Sequence, residues 1–286
     1  MEIGLFAKLH RPDFAEKLEE IVTWLRGHGC EPLVDGKVVE HFGLKGVPGT
    51  PPDEIARRAE AVVVFGGDGT LLGVARLVKA HNTPILGVNL GSLGFLTEVS
   101  LDRLYTDLQA LIEGRFTVEE RCMVKASMYR RQAPEVPSEF HAVNDIVVNK
   151  AALARVITVD AFFDDQFIAS FVADGMIVST PTGSTAYSLS AGGPIVHPLM
   201  ECLVITPICP HTLSNRPLVI PARQQLRLLL RSGTDVMLTV DGQVGVAFRE
   251  EDEIVCTLSP HRLRLVRSGN RGFFELLREK LNWAKR

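Results

Sequence analysis

The sequence predicts an α/β N-terminal domain with a parallel sheet, followed by an all-β C-terminal domain. Three observations predict this arrangement. Short apolar strands alternate with amphipathic helices in the first third, the hydrophobic period changes from helical to alternating near residue 116, and one amphipathic helix ends the chain. We expect a first domain of residues 1–115 plus 268–286, and a second of residues 116–267.

The first third supplies the strand–helix alternation. The strand-like run Ile3–Ala7 precedes a helix predicted over residues 13–26, and Ala61–Phe65 is a continuous run of the kind found in fully buried parallel strands. Pro84–Val88 is a second such strand, and residues 101–113 carry a helical stripe. The face of the first helix comprises Phe14, Leu18, Ile21, Val22 and Leu25.

The segment Gly43–Pro52 interrupts this alternation. Six of its ten residues are glycine or proline, so we expect no regular element to run through it. Such a segment is either a surface loop or a lid over a ligand site.

The second part of the chain alternates between apolar and polar residues. Val118–Met128 and Ile157–Phe163 follow this pattern, and Asp164–Gln166 has the composition of a hairpin turn. Alternation of this kind predicts antiparallel strands. The final amphipathic helix, Phe273–Trp283, needs an apolar surface to cover, and the first domain is the expected one.

Composition excludes several classes of protein. The 286 residues include 31 Lys and Arg against 34 Asp and Glu, so the net charge of −3 indicates neither nucleic acid nor an anionic membrane as a partner. No apolar run exceeds five residues, and the N-terminus lacks a signal-peptide core. Five cysteines without a C-x-x-C pair suit neither a disulfide framework nor a zinc site. We therefore expect a cytoplasmic protein.

The turn Gly66–Thr70 is the sharpest local motif, because it joins a buried strand to a helix. Ligands bind at this edge of α/β sheets, and glycine amides at a helix N-terminus favour phosphate. An aspartate there opposes the anion, so Asp68 is expected to accept a proton from an attacking hydroxyl or to hold a metal ion. The alternative is an Asp-Gly turn whose carboxylate caps the helix.

The segment Ser179–Pro194 is the second motif. Eight of its sixteen residues carry hydroxyls, three are glycine and none is charged. These groups can satisfy a nucleotide's donors and acceptors without burying charge. The alternative is an ordinary Ser/Thr/Gly-rich loop.

Asn144 and Asp145 lie inside an otherwise apolar strand predicted over Ala142–Val148. Because adjacent strand residues face opposite ways, at least one of the two should reach a packed face or a cleft. A ligand ribose or base is one candidate partner, and a bulge or turn is the other explanation. Three further signals are each weak alone: Arg155, Asp174-Gly175 and Asp241-Gly242-Gln243. Asp-Gly is a common hairpin turn, and a lone arginine in a strand is usually solvated. The histidines are scattered, so metal binding through histidine is improbable.

Together these motifs resemble those of the NAD kinase family, whose members phosphorylate the adenosine ribose 2′-hydroxyl of NAD to give NADP. The resemblance covers nearly the whole chain in the family's order. The matching segments are Gly66–Thr70, Asn89–Thr97, Asn144-Asp145, Asp174-Gly175, Pro181–Pro194 and Leu276–Trp283.

The resemblance implies a Rossmann-like α/β domain, a β-sandwich domain, and a C-terminal helix that packs back on the first. It implies that Asp68 is the proton acceptor and Gly69 a backbone contact to the nucleotide. Where many members have Asn-Glu, this chain has Asn144-Asp145, one methylene shorter. The NAD contacts that it implies are Asn144, Asp145, Asp174, Thr185, Ala186, Tyr187, Ser188, Leu189 and Ser190, with Arg155 and Gln243 matching less firmly.

The resemblance also implies ATP and NAD as substrates and a homodimer or homotetramer whose NAD pocket is completed by a neighbouring subunit. Because the chain lacks a Walker lysine, a divalent metal, Mg²⁺ by its chemistry, is expected to neutralise the phosphates together with the glycine-turn backbone. No protein residue is assigned as a metal ligand.

Two other functions share some of these features. Diacylglycerol and sphingosine kinases also carry GGDGT, but they usually have a Gly-Thr-Gly-Asn-Asp-like stretch where this chain has Leu90–Phe95. A sensor that binds NAD(P) without turnover is the non-enzyme alternative, and the intact Asp68 argues against it.

Overall fold

The computed structural model describes residues 1–9, 14–91, 93–151, 155–212, 214–267 and 272–282. The chain divides into two compact units, Met1–Glu120 with Leu263–Arg286, and Arg121–Arg262. Both crossings between the units occur inside long strands, β7 (Thr117–Arg130) and β18 (Glu253–Arg267). A change of hydrophobic period locates the ends of such strands, which is why the predicted boundaries fall after residues 115 and 267.

The first unit contains a parallel sheet, as predicted. Its strands are β1 (Glu2–Ala7), β2 (Glu31–Asp35), β3 (Gly49–Thr50), β4 (Ala61–Gly66), β5 (Ile85–Asn89) and β6 (Val99–Ser100). The order is β3-β2-β1-β4-β5, all pairs are parallel, and β6 and the end of β18 also pair in parallel with β5. The strand order reverses between β1 and β4, which is typical of dinucleotide-binding sheets.

Helices cover this sheet and bury its apolar side chains. They are α1 (Ala15–Gly27), α2 (Gly36–Phe42), α3 (Pro52–Arg58), α4 (Asp68–Val78), α5 (Leu104–Ile112) and α7 (Phe273–Leu281). The predicted face of α1 is buried, and Leu18, Ile21 and Leu25 are fully inaccessible. The C-terminal helix α7 belongs to the first unit and buries Leu276 and Leu277. None of the helices that the structure describes is long and apolar enough to cross a membrane.

The segment Gly43–Pro52 is more ordered than its composition suggested. Strand β3 lies within it and pairs with β2, and α3 begins at Pro52. Leu44 and Val47 are buried in the core of the first unit. No element runs through the whole segment, as predicted, although two apolar side chains anchor it and it contains the two-residue strand β3.

The second unit is an antiparallel β-sandwich, as expected. Its remaining strands are β8 (Ala133–Ala142), β9 (Asp145–Lys150), β10 (Ile157–Phe163), β11 (Gln166–Ala173), β12 (Gly175–Ser179), β13 (Cys202–Ile208), β14 (Leu218–Pro221), β15 (Leu226–Ser232), β16 (Val236–Val240) and β17 (Val244–Phe248). One sheet has the order β14-β13-β12-β9-β16-β17, and the other contains β11-β10-β15-β18 and the β7–β8 pair. One apolar cluster takes Val159 and Leu228 from one sheet and Val148 and Leu238 from the other.

Two predicted hairpin turns have different outcomes. Asp164 and Asp165 connect β10 to β11, with Phe163 paired to Gln166, so that turn is confirmed. Asp174 connects β11 to β12, which belong to different sheets, so it is not in a hairpin.

Candidate active site

The aspartate of the glycine turn begins helix α4. Strand β4 ends at Gly66, Gly67 is the N-cap residue, and Asp68 is the first helical residue. No side-chain hydrogen bond caps this helix. The helix-capping interpretation of Asp68 is therefore wrong, and its carboxylate bonds to a segment 27 to 29 residues further along the chain.

Three backbone amides and one hydroxyl hold the Asp68 carboxylate. Oδ2 accepts a hydrogen bond from the Phe95 amide at 2.8 Å. Oδ1 accepts from the amides of Leu96 and Thr97, each at 3.1 Å. The Thr97 hydroxyl donates a fourth bond to Oδ1, also at 3.1 Å. We call residues 94–97 the Asp68 cradle.

Gly94 begins the cradle because no side chain fits at its position. Its amide donates to the carbonyl of Thr97 at 3.2 Å. A Cβ atom on Gly94 would lie 2.7 Å from Asp68 Cγ and would overlap Asp68 Oδ1 and Thr97 Oγ1. The Asn89–Thr97 motif was noted in the sequence only for its resemblance to the family. The structure shows its physical role, because its second half receives the Asp68 carboxylate.

The arrangement leaves Asp68 able to accept one more hydrogen bond. An ionised carboxylate offers about four lone-pair sites. Three of the four donors reach Oδ1 and only one reaches Oδ2. The carboxylate is therefore fixed in orientation, and Oδ2 keeps acceptor capacity for a substrate hydroxyl.

Lys8 lies at the same edge of the sheet. It follows β1, and its amide donates to the carbonyl of Phe65, the penultimate residue of β4, at 2.8 Å. Its Cβ atom is 3.3 Å from the place that a Cβ on Gly66 would occupy. Lys8 is exposed, and no carboxylate among the described residues pairs with its ammonium group. The sequence pattern missed Lys8 because the pairing of β1 with β4 was not visible in it.

In the second unit, the strand predicted around Asn144 is interrupted at that residue. Strand β8 ends at Ala142 and β9 begins at Asp145 in the other sheet, so the single strand predicted over Ala142–Val148 is wrong. Asp241, in the turn between β16 and β17, organises the break. Its Oδ1 accepts from the amide of Asn144 at 2.8 Å and from that of Asp145 at 3.2 Å.

Asp145 is a buried acid beside a second acid. Its side chain is 5% exposed. Burial first, and then the Asp241 carboxylate, raise the pKa of Asp145 to about 7. Asp241, assigned only a turn from the sequence, already uses its oxygens on three backbone amides. Asp145 can therefore gain or lose a proton near neutral pH, and its ionised form can accept hydrogen bonds from a ligand.

The hydroxyl-rich segment packs directly on Asn144. The Thr180 amide donates to the Asn144 carbonyl at 2.9 Å, and a Cβ on Gly183 would lie 2.7 Å from Asn144 Cα. Several of its hydroxyls are buried and bond within the protein. Thr180 Oγ1 donates to the Val143 carbonyl at 2.6 Å, and Ser184 Oγ donates to the Pro181 carbonyl at 2.6 Å. These hydroxyls support the fold of the segment, not a ligand as the composition suggested.

The predicted contact residues 185–190 divide into two groups. Ser188 is fully buried, and its hydroxyl shares a 2.9 Å hydrogen bond with Thr206. Its side chain therefore has a structural role. Tyr187 begins the short helix α6 (Tyr187–Ser190) and is 42% exposed. The other members that keep accessible surface are Thr185, Ala186, Leu189 and Ser190.

Two family models cover most of the chain. The ATP-NAD kinase N-terminal domain matches residues 3–116, and the ATP-NAD kinase C-terminal domain matches residues 143–268. The NAD kinases of Geotalea daltonii and Geobacter sulfurreducens are 47% and 48% identical to it over 286 residues, which is 100% of this chain and 99% of each relative. The chain belongs to the NAD kinase family. It is therefore a kinase, that is, a phosphotransferase.

Two solved structures of this family match the fold. Yeast NADH kinase complexed with NADH has a TM-score of 0.92 at 28% identity, covering 100% of this chain and 89% of that one. An NAD kinase from Archaeoglobus fulgidus in complex with ATP has a TM-score of 0.77 at 26% identity, covering 99% of both chains.

One residue suggested by the family resemblance, Asp174, lies away from Asn144. Asp174 precedes Gly175, at the end of β12 opposite Ser179, which pairs with Asp145. Four strand residues span about 13 Å, so Asp174 is at least that far along the strand from Asn144. Its carboxylate is 3.7 Å from Lys150 Nζ. Arg155 is exposed before β10, and Gln243 is exposed in the turn after Asp241.

The donor set of the described residues fits a cation that brings most of its own ligands. No group of three or more His, Cys, Asp or Glu side chains lies close enough to hold a metal ion in the described ranges. Mg²⁺ at kinase sites usually takes one or two carboxylates and is otherwise held by phosphates and water. The acceptor site left on Asp68 Oδ2 can meet such a cation or a substrate hydroxyl, but not both at once.

Proposed function

We propose that this kinase transfers the γ-phosphoryl group of ATP to the 2′-hydroxyl of the adenosine ribose of NAD, giving NADP and ADP. The family membership and the names of the relatives support this reaction. The observation that carries the catalytic part is the Asp68 carboxylate, which four donors hold with acceptor capacity left on Oδ2.

Asp68 accepts the proton of the 2′-hydroxyl as that oxygen attacks. The ribose oxygen forms a bond to the γ-phosphorus, and the bond from this phosphorus to the β–γ bridging oxygen breaks. ADP leaves with that electron pair, and the proton on Asp68 passes to solvent afterwards. Phosphoryl transfer depends mainly on positioning and charge stabilisation, so a rigid acceptor is the contribution expected of the protein.

The donor phosphates are placed at the N-terminus of α4. Gly67 and Gly69 allow backbone amides to approach the phosphates closely. Lys8 adds a cationic side chain at this edge, a role that the sequence had left to a metal and the glycine-turn backbone. Mg²⁺ would be held by the phosphates and water, which leaves Asp68 for the 2′-hydroxyl, and when bound it would neutralise phosphate charge.

NAD is recognised by the second unit. The buried Asp145 accepts hydrogen bonds from ribose hydroxyls, and Asn144 presents its amide beside the segment that contains Gly183. Tyr187 contributes an exposed aromatic ring on which a base can stack. Thr185, Ala186, Leu189 and Ser190 contribute through their accessible atoms and backbone.

Asp174 acts on the NAD held by a second copy of the chain. Its separation along β12 from Asn144 argues against a shared contact within one copy. A homodimer or homotetramer would bring the two ends of β12 from different copies to one ligand. Arg155 and Gln243, both exposed, are candidates for the same role. Cytoplasmic location stays a prediction.

The test is a coupled assay of the purified chain with ATP and Mg²⁺, crossing NAD, NADH and diacylglycerol vesicles as acceptors. We expect NADP formation, and a roughly 10²- to 10⁴-fold lower kcat for Asp68→Asn. Near-normal kcat in that variant would remove Asp68 from the mechanism. Lipid phosphorylation without NADP would favour the lipid kinase alternative, and nucleotide binding without turnover would favour a sensor.

A further inference from the structure

The first unit contains an open cavity of about 700 Å³ whose lining includes none of the residues assigned above. Three arginines and one aspartate line it, and Phe116 and Val266 add apolar surface. Its volume lies in the range of small-molecule sites, about 300–1,000 Å³. The charged residues of the lining are Arg103, Asp107, Arg115 and Arg267.

Asp107 is the unusual member of this lining. It lies on the buried stripe of α5 between Leu104 and Leu111 and is 5% exposed. Its Oδ1 is 3.5 Å from Arg103 Nη2, whereas Oδ2 has no hydrogen-bond partner in the part of the chain that the structure describes. Buried carboxylate oxygens without a donor are rare and costly. This oxygen has less than 1 Å² of accessible surface, so a ligand with a strong donor would satisfy it after the carboxylate rotates toward the cavity.

The arginines can bind an anionic group of the ligand. The side chains of Arg103 and Arg115 are 57% and 66% exposed. Arg103 meets Asp107, and Arg115 pairs with Glu113, which does not line the cavity. A guanidinium group has five N–H donors, so one such pair leaves donors for a carboxylate or phosphate. The apolar surface suits a short methylene chain between the ligand's two charged groups.

We propose that this cavity binds a small amphoteric molecule, with its ammonium group on Asp107 and its anionic group on the arginines, and that binding modulates turnover. The coupling runs through Arg267, which lines the cavity, is 12% exposed and ion-pairs with Glu98. Glu98 follows Thr97, whose amide and hydroxyl hold Asp68. A ligand that engages Arg267 changes the ion pair next to the cradle. The coupling rests on the proposed function, whereas the binding does not.

The binding is tested by calorimetric titration of the intact chain with three matched probes. L-Glutamate and 4-aminobutyrate carry both charged groups, and glutarate lacks the ammonium group. We expect the first two to bind with a Kd of about 1 mM or tighter, and glutarate about tenfold more weakly. Asp107→Asn should abolish this preference, and Arg115→Met should weaken all three probes.

Arg131→Met is the matched control, because Arg131 lines a separate arginine-containing cavity in the second unit. It should leave all three affinities unchanged. The proposal would be overturned if none of the three probes binds, or if glutarate binds as tightly as L-glutamate and 4-aminobutyrate. Unfolding in urea distinguishes ligand binding by Asp107 from a purely structural role. Asp107→Asn should be at least as stable as the parent. A less stable variant with unchanged probe binding would contradict the assignment.

The coupling is tested by steady-state kinetics with and without saturating L-glutamate. We expect kcat or a KM of the parent to change by about fivefold, and the same quantities of Asp107→Asn not to change. Binding without any kinetic effect would overturn the coupling. A parent protein that forms no NADP would instead refute the proposed function and leave the calorimetric result standing.

Discussion

Gly94 lies so close to Asp68 that a Cβ atom on Gly94 would be 2.7 Å from the carboxylate carbon. The glycine is therefore required by the aspartate and not by its own backbone conformation, since its φ is not in the left-handed region. Asp68 and the cradle therefore depend on each other for their positions, so a change in either one should displace the other.

Gly94→Ala should displace the Asp68 carboxylate from its donors. We expect kcat to fall by roughly 10²-fold, because the proton acceptor loses its position. Unfolding in urea should show a loss of about 1–3 kcal/mol from the steric overlap. Gly91→Ala in the same loop is the control, since a Cβ there meets nothing within 4 Å. Equal kinetics in both variants would contradict the role assigned to the cradle.

Lys8→Met should weaken the use of ATP. A charge-assisted hydrogen bond contributes about 1.5–3 kcal/mol, so kcat/KM for ATP should fall roughly 10- to 100-fold. The KM for NAD should stay the same, and Lys8→Arg should recover part of the loss. Lys37→Met, at an exposed position of α2, is the control. A change confined to NAD kinetics would remove Lys8 from the phosphate site.

Asp145→Asn should change how stability depends on pH. Folded Asp145 keeps its proton up to about pH 7, whereas the unfolded side chain loses it near the ordinary aspartate pKa of 3.8. The folded state therefore binds more protons between these values, and the unfolding free energy falls as pH rises through this window. At 1.36 kcal/mol per pKa unit the effect is on the order of 4 kcal/mol.

The measurement is urea unfolding of the parent and of Asp145→Asn at pH 5 and pH 8. The variant should be more stable than the parent at pH 8, and this difference should be clearly smaller at pH 5, where less of the window has been crossed. The KM for NAD should fall between pH 6 and pH 8 in the parent, because the ionised acid accepts hydrogen bonds from the ribose, and should stay flat in the variant. Parallel pH profiles of the two proteins would refute this role of Asp145.

Substitutions at Ser188 and Tyr187 should affect different properties, the first the stability of the fold and the second the binding of NAD. Ser188→Ala removes the partner of the buried Thr206 hydroxyl, so unfolding should become easier by about 1–3 kcal/mol with little change in kinetics. Tyr187→Ala should raise the KM for NAD about tenfold and leave stability within about 0.5 kcal/mol. The opposite pattern would show that the helix α6 presents its other face to the nucleotide.

Asp174→Ala should be rescued by a second inactive variant if Asp174 serves the neighbouring copy. When Asp174→Ala chains and Asp68→Asn chains pair at random, half of the dimers contain one chain of each kind. Each such dimer has one intact site, which combines Asp68 of one chain with Asp174 of the other. Co-expressed chains should then recover about a quarter of the parent activity. No recovery, with the mixed oligomer verified by mass, would place Asp174 in its own chain's site.

The sequence predicted the elements with strong local patterns. Ala61–Phe65 and Ile157–Phe163 are strands, and the Asp164-Asp165 turn connects two of them. Their periodicity or continuity is itself the physical cause of burial, so it can be read locally. The parallel and antiparallel sheets followed from the same patterns.

The site could be predicted only in part, because its decisive contacts are distant along the chain. The donors to Asp68 come 27 to 29 residues later, and the acceptor for the Asn144 amide comes 97 residues later. The break at Asn144 was hidden because the residues on either side of it, Ala142-Val143 and Ile146–Val148, are buried and apolar. Hydroxyl content alone could not separate Ser188, which bonds inside the fold, from residues with accessible surface.

The long strands β7 and β18 have a practical consequence for anyone who wants to study one half of the molecule. Each contributes residues to both units, so a cut at residue 120 or 262 severs a strand and leaves unpaired backbone groups. A fragment that follows the family match from residue 143 would lack β8 and the whole of β7. Such fragments should aggregate, and binding by the second unit is better measured in the full chain carrying Asp68→Asn.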